Sequence, residues 1–489
     1  MKLTDLREKS IVIVGLGQEG LATLDVLEGV FPDKPIGLAD RSDLERLNPE
    51  AQQVIRARAP SRASLGPDYL SCLSDYEVIV KSPGIPLSLP SFQRAIRAGK
   101  KVTSLTEMFF SNCPGIIIGV TGTKGKSTTS SLIHAVLWEG GLDSFLVGNI
   151  GNPPLGLLRG ARHDSVFVYE LSSHQLDGLS QSPHIAVVLN VVPEHLDYYE
   201  SFERYVLAKQ NITRFQSTKD YVVYNAAFPI PSRFADESAA RKIPFSAEGR
   251  CDPGCFVENG CIVCRLPGGA PMRVLEVEQV PLLGGFNIQN VLPACAVGRL
   301  LGVAPAAINR AVLAFRSLPH RLELVGTFFG ITFYDDALAT IPEATIGALD
   351  ALGDRVETIL LGGFERHLDF TGLARRLLAS EVKNLILFPT TGKRIREVLQ
   401  ALAVRAEDLP RCFFVAGMDE AVSLAFRHTR PGMICLHSPA SPSFGLFANY
   451  RERGALFQRC VRKEGGGPDE DLAGGPGEGP AVGDAGAAA

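Results

Sequence analysis

The stretch Gly119-Val-Thr-Gly-Thr-Lys-Gly-Lys126-Ser127-Thr128 lies between an apolar run, Ile116-Ile117-Ile118, and a segment with helical apolar spacing, Thr128-Thr-Ser-Ser-Leu-Ile-His-Ala-Val-Leu-Trp138. A strand, a glycine-rich turn and a helix in that order predict a phosphate loop in an α/β domain. Such a turn aims successive backbone N–H groups and the positive end of a helix at one anion. Gly122, Thr123, Lys124 and Gly125 would form the cradle, and Lys126 would reach the outer phosphates. The Ser127 or Thr128 hydroxyl is a candidate Mg²⁺ ligand. Five residues separate Gly119 from Gly125, where the common phosphate loop has four. A glycine-rich turn with a stray lysine is the competing reading. ATP is the expected ligand.

Upstream, Ile11-Val-Ile-Val14 leads into Gly15-Leu-Gly17-Gln-Glu-Gly20, a helical stretch and then Pro35-Ile-Gly-Leu-Ala-Asp40. This is a βαβ nucleotide-binding start whose second strand closes on an acid. A third strand, Glu77-Val-Ile-Val80, ends in the turn Ser82-Pro83-Gly84-Ile85-Pro86. Downstream, Glu170 follows the strand at 166–169, and Asn190 and His195 follow the strand at 186–189. A carboxylate after one strand and an imidazole after the next suit a Mg²⁺–phosphate site facing Lys126. Taken alone, His195 could equally be packed or solvated, and Lys209 reads as a solvated helix lysine. A further α/β segment begins at Leu318-Pro-His-Arg-Leu-Glu323, with strands at 358–361 and 384–388. From about Glu464 the chain is Gly, Pro, Ala and acid, a composition that predicts a disordered tail.

The 489 residues are 45% hydrophobic with a formal net charge of −4, enough for about two to four domains. That balance recommends neither a nucleic-acid nor a membrane partner. Without a signal-peptide pattern or a membrane-length apolar run, a cytoplasmic protein is expected. The ten cysteines lie mostly in apolar contexts, which suggests reduced thiols. Cys251, Cys255, Cys261 and Cys264 invite a zinc reading. However, the run from Cys255 to Cys264 reads better as a hairpin turning at Asn259-Gly260.

Together these motifs resemble the Mur ligases, and within them the glutamate-adding enzymes acting on UDP-N-acetylmuramoyl-L-alanine. The resemblance covers residues 5–462 and implies three α/β domains with mainly parallel sheets. These are a Rossmann-like UDP-substrate domain at 1–113, a central ATP domain at 114–317 and a Rossmann-like glutamate domain at 318–462, with the tail at 463–489. Carried over from the family, Gly17, Asp40, Arg41, Ser82 and Gly84 contact the UDP substrate, and Asn149 in Val147-Gly-Asn-Ile-Gly151 positions it. Glu170 and Ser127 match Mg²⁺ ligands, and His195 bridges metal and reacting groups. Lys209 matches a lysine that is carbamylated to hold a second Mg²⁺. Asn287 and Asn290 lie near adenine, and Arg321 and Asp336 close over ATP from the third domain. Thr340, Arg366, Ser443, Phe444 and Tyr450 surround the incoming amino acid.

Two positions depart from that pattern. D-glutamate ligases generally read Asp-Ser-Lys-Ala-Thr where this chain has Asp336-Ala-Leu-Ala-Thr340, and they carry a lysine where Arg366 stands. Losing one cation and reshaping another changes how a dicarboxylate sits. The variant resembles the branch that adds L-glutamate, in which a separate epimerase later inverts the centre, so L-glutamate is the expected substrate. The D-glutamate ligase is the alternative.

The implied reaction is ATP-dependent amide synthesis through an acyl phosphate by a monomer. A nicotinamide-dependent dehydrogenase would leave the phosphate loop unexplained. A catalytically silent nucleotide-binding scaffold would not need Lys126, Glu170, His195 and Lys209 together. A ligase for another amino acid, or of folylpolyglutamate type, is nearer.

Overall fold

The computed structural model describes residues 1–57, 63–148, 154–405, 407 and 409–466. Asn149 and the tail beyond Gly466 lie outside the described residues. The chain divides into two compact units between Arg316 and Ser317.

The first unit holds two sheets. Ala63–Leu65, Ile36–Asp40, Ile11–Val14, Val78–Lys81 and Lys101–Thr103 run parallel in that order. Ile11–Val14 is apolar and buried throughout, because helices cover both faces of a parallel sheet. The chain first builds to one side of Ile11–Val14 and then returns to the other at Val78–Lys81. The crevice outside the carboxyl ends of these two strands is therefore a topological switch point.

The second sheet has nine strands. It runs parallel through Ser144–Gly148, Val166–Glu170, Ile116–Thr121, Ile185–Val188, Tyr221–Asn225, Arg241–Ser246 and Gly254–Glu258. It ends in an antiparallel meander of Cys261–Arg265 and Met272–Glu276. Asn259 and Gly260 turn the hairpin with φ of 49° and 75°, the left-handed pair that a two-residue hairpin needs. That register sets Cys255 opposite Cys264, whereas Cys261 faces Glu258.

The two sheets share one core. Ser104 caps the helix Leu105–Asn112 through the Glu107 N–H. From that helix Phe109 packs edge-on against Phe167 and Tyr169 of the second sheet, at 5.2 and 5.5 Å between ring centroids. Continuous burial across this contact explains why residues before and after 113 cluster as a single unit.

The second unit carries a six-stranded sheet in the order Glu323–Phe328, Ile331–Asp335, Ile434–His437, Val356–Gly362, Asn384–Phe388 and Arg411–Phe414. Only the first pair is antiparallel. Among the described residues no helix is long and apolar enough to cross a membrane.

Candidate active site

The strand Ile116–Thr121 delivers the glycine-rich turn to the helix Lys126–Glu139. Gly125 caps that helix with φ 86°, and a Cβ there would lie 2.3 Å from Asn290 Oδ1. Asn290 accepts from Thr129 Oγ1 at 3.2 Å and donates to Asn287 Oδ1 at 2.8 Å. The asparagine pair thus braces the turn from behind. The Thr123 N–H donates to the Asn190 carbonyl at 2.6 Å, and its hydroxyl meets Tyr205 OH at 2.9 Å. Asn190 Oδ1 also accepts the Lys124 N–H, while Lys124 Nζ pairs with Glu194 at 2.6 Å. Lys126 folds back over the loop, its Nζ 3.0 and 3.1 Å from the Gly122 and Thr123 carbonyls.

Three strand ends converge here. Glu170 closes Val166–Glu170 and is 2% exposed. Its Oε2 and the Thr128 hydroxyl are buried without a hydrogen-bond partner. Orphaned oxygens beside a phosphate loop are what a hard divalent cation satisfies, so the donor set fits Mg²⁺. Half-buried Ser127 adjoins Thr128 at the first turn. His195 caps the helix Leu196–Tyr199 in a left-handed conformation, φ 56°. Its ring centroid lies 5.0 Å from that of His174 and 6.3 Å from that of Tyr205.

Lys209 is not the solvated lysine that its helical context suggests. It is 1% exposed on the inner face of Phe202–Arg214. Its Nζ donates to the Thr121 hydroxyl at 3.2 Å and the Gly122 carbonyl at 2.9 Å, and lies 4.9 Å from the Tyr205 ring centroid. Burial first, and then the nearby Lys126, hold its pKa well below the ordinary lysine value against the pull of Glu194 and Glu170. Burial therefore favours the uncharged, nucleophilic form of this amine.

At the switch point of the first sheet, Asp40 accepts the Leu16 and Ser42 N–H groups at 2.8 and 2.9 Å. Both of its oxygens therefore already shape the loop that a ligand would meet. The Ser82 hydroxyl donates to the Gly15 carbonyl at 2.8 Å. A Cβ on Gly20 would fall 2.0 Å from that same carbonyl, whereas one on Gly17 or Gly84 would meet nothing within 4 Å. Arg41 is exposed beside Asp40.

Within the second unit, Asp336 follows Ile331–Asp335. Burial pushes its carboxyl up to about 7, against hydrogen bonds from Ser438 and the Leu322 N–H and the charge of Arg321. Ser443 is buried and Thr340 half-buried, and the Arg366 guanidinium lies 5.7 Å from the half-exposed Phe444 ring. Tyr450 opens the helix Tyr450–Glu464 and sets its ring 6.3 Å from that of His320. His320, Glu323 and Asp335 place ligand-type atoms within 4.8 Å of one another. The Gln458 amide donates to both carboxylates, and His320 Nδ1 pairs with Asp335, so the group is a filled internal network.

The sequence reading missed Tyr205, Lys81 and Arg453. Tyr205 precedes Lys209 by one helical turn, and Lys81 ends an apolar strand. Arg453, 1% exposed, donates to the Ala337 and Ser441 carbonyls at 2.9 and 3.0 Å, tying together the turns at those two residues.

Profiles of the Mur ligase middle domain, the MurD-like N-terminal domain and the glutamate ligase domain match residues 120–298, 9–104 and 320–441. The UDP-N-acetylmuramoylalanine–D-glutamate ligase of Symbiobacterium thermophilum is 36% identical over 93% of this chain and 98% of its own. Its counterpart in Acetivibrio thermocellus is 33% identical over 93% and 97%. The chain belongs to the Mur ligase family. It is an ATP-dependent acid–amino-acid ligase of peptidoglycan synthesis. A crystal structure of the UDP-N-acetylmuramate–alanine ligase of Thermotoga maritima shares the fold of this Mur ligase at a TM-score of 0.59, with 17% identity over 94% of this chain and 100% of that one.

The expectation of L-glutamate is overturned. Relatives of this Mur ligase at 31–36% identity over nearly the whole chain are named for D-glutamate. The inference failed for a physical reason. Handedness is read by at least three fixed contacts, and exchanging the cations at Leu338 and Arg366 does not define three points. The epimerase expected as a pathway partner loses its basis with that reading.

Proposed function

We propose that this Mur ligase joins D-glutamate to the alanyl carboxylate of UDP-N-acetylmuramoyl-L-alanine, releasing ADP and phosphate. The observation carrying this reading is the convergence of Lys126, Glu170 and a buried Lys209 on one phosphate loop. Residues 1–113, 114–317 and 318–462 would serve as the UDP-substrate, ATP and glutamate domains.

The open faces at Gly17 and Gly84, with Ser82, Asp40 and Arg41, would receive the UDP part of the substrate. The loop N–H groups and Lys126 would hold the ATP phosphates. Asn287 and Asn290 would set the nucleotide end of the site, and Arg321 and Asp336 would also contact ATP. The alanyl carboxylate attacks the γ-phosphate to form an acyl phosphate. The glutamate amine then attacks that carbonyl and phosphate departs. Ser127, Thr128, Glu170, His195 and Lys209 would hold two Mg²⁺ ions, which neutralise the crowded phosphate oxygens when bound. Lys209 fits carbamylation, in which its neutral amine adds to CO₂ and releases a proton. The resulting anion would be attracted to the neighbouring Lys126 cation. Thr340, Arg366, Ser443, Phe444 and Tyr450 would orient glutamate.

Phosphate release measured with UDP-MurNAc-L-Ala and each glutamate enantiomer, followed by chiral analysis of the product, tests the reading. Release that is indifferent to UDP-MurNAc-L-Ala would sink it.

A further inference from the structure

Val78-Ile-Val-Lys81 ends a fully buried parallel strand on a lysine that is only 4% exposed. A buried ammonium is costly unless hydrogen-bonded and paired, and a fourth aliphatic residue would suit the strand better. Lys81 is therefore held there by something other than packing.

Its Nζ donates to the Ile85 carbonyl at 2.8 Å and the Ser82 carbonyl at 3.3 Å, spanning the Ser82-Pro83-Gly84-Ile85 turn from inside. Tyr198 OH donates to a third carbonyl of the turn, that of Pro83, at 3.2 Å. Ser82 Oγ ties the same turn to Gly15. With those carbonyls gripped, the Gly84 face stays open.

The charge of Lys81 is answered from two directions. Glu19 stands in the first turn of the helix Gln18–Val30, and Asp177 follows the short helix Ser173–Leu176. Both carboxylates act on Lys81 electrostatically, and burial outweighs them to bring its pKa to about 8. Gln175 Nε2 links the two sides by donating to Glu19 Oε1 at 2.8 Å. Gln175 thereby joins the helix bearing Glu19 to the segment that follows Glu170.

We propose that Lys81 is a positioning residue for the UDP substrate, setting the Ser82–Ile85 turn in the shape that receives it. This rests on the reading of the turn as a substrate contact.

Steady-state kinetics of the full chain bearing Lys81→Met or Lys81→Arg decide it. Methionine keeps the stem and removes the donors. Lys81→Met is expected to raise KM for UDP-MurNAc-L-Ala about tenfold, as though the displaced turn cost the substrate one charge-assisted hydrogen bond. KM for ATP and for glutamate should stay within about twofold, and Lys81→Arg should recover part of the loss. A melting temperature that falls with no selective change in that KM makes Lys81 a buried structural cation and overturns the proposal. A variant too unstable to assay shifts the decision to Lys81→Arg, whose KM for the UDP substrate must still rise selectively. Wild-type enzyme that does not saturate with UDP-MurNAc-L-Ala overturns the functional reading itself, and Lys81 falls with it.

Discussion

Lys209 Nζ lies 2.9 Å from the Gly122 carbonyl oxygen, so the helix Phe202–Arg214 is clamped onto the phosphate loop by a buried amine. The contact joins nucleotide binding to a residue whose chemistry depends on being uncharged.

Lys209→Ala is expected to lower turnover about a hundred- to thousandfold, the usual effect of deleting one preorganised electrostatic group. A small added carboxylate should restore part of the activity in the vacated space. Depleting CO₂ should slow the wild-type enzyme and leave the variant unaffected. An active variant, or a wild type indifferent to CO₂, would remove the carbamate from the mechanism.

Lys126→Ala should reduce turnover about a thousandfold, because phosphate charge in a dry site is left without its cation. Lys126 is only half-buried, so the melting temperature should barely move. Near-normal ligase activity would show that the loop is not the ATP site.

Gly125→Ala tests the turn itself. The substitution forces a left-handed φ of 86° on a residue with a Cβ and drives that carbon to 2.3 Å from Asn290 Oδ1. Left-handed strain costs roughly 1–2 kcal/mol before the clash is counted. KM for ATP should rise and Tm should fall, and equilibrium nucleotide binding separates the two effects.

Asp336 gives a pH signature. Its folded pKa of about 7 lies above the unfolded aspartate value of about 3.9. The proton is held more tightly in the folded state, so this stabilisation is complete below the unfolded value. It is lost as pH rises from about 4 to about 7, because the unfolded chain ionises first. An asparagine can still accept the Leu322 N–H and can donate to Ser438. Asp336→Asn should therefore lose less stability across that window than wild type does, while turnover falls through loss of the proposed ATP contact. Parallel Tm-versus-pH curves for the two proteins would refute the assignment. Asp335 does not interfere, since hydrogen bonds from His320, His437 and Gln458 hold its carboxyl below the usual range despite burial, and it titrates under more acidic conditions.

Much of this molecule is written locally. The phosphate loop, the Gly15–Gly20 turn and the Asn259-Gly260 hairpin follow from backbone rules acting over a few residues, and each forms where the sequence places it. Alternating apolar runs and helical spacings likewise specify three mainly parallel sheets, because only helix-covered strands read as continuous apolar stretches. The spacing of Tyr205, Ala208 and Ile212 even puts Lys209 on the apolar face of its helix, a signal outweighed by the general habit of helical lysines to stay in water. Tertiary structure alone decided what each charge meets. Burial, and with it the protonation of Lys209, Lys81 and Asp336, depends on neighbours distant in sequence, such as Thr121, Asp177 and Ser438. Arg453 became a tie between the turns at Ala337 and Ser441 only when the chain brought them together. Local pattern dictates which elements form, because backbone geometry is short-ranged. The electrostatics of the site are decided by packing, because desolvation is a property of everything that surrounds a charge.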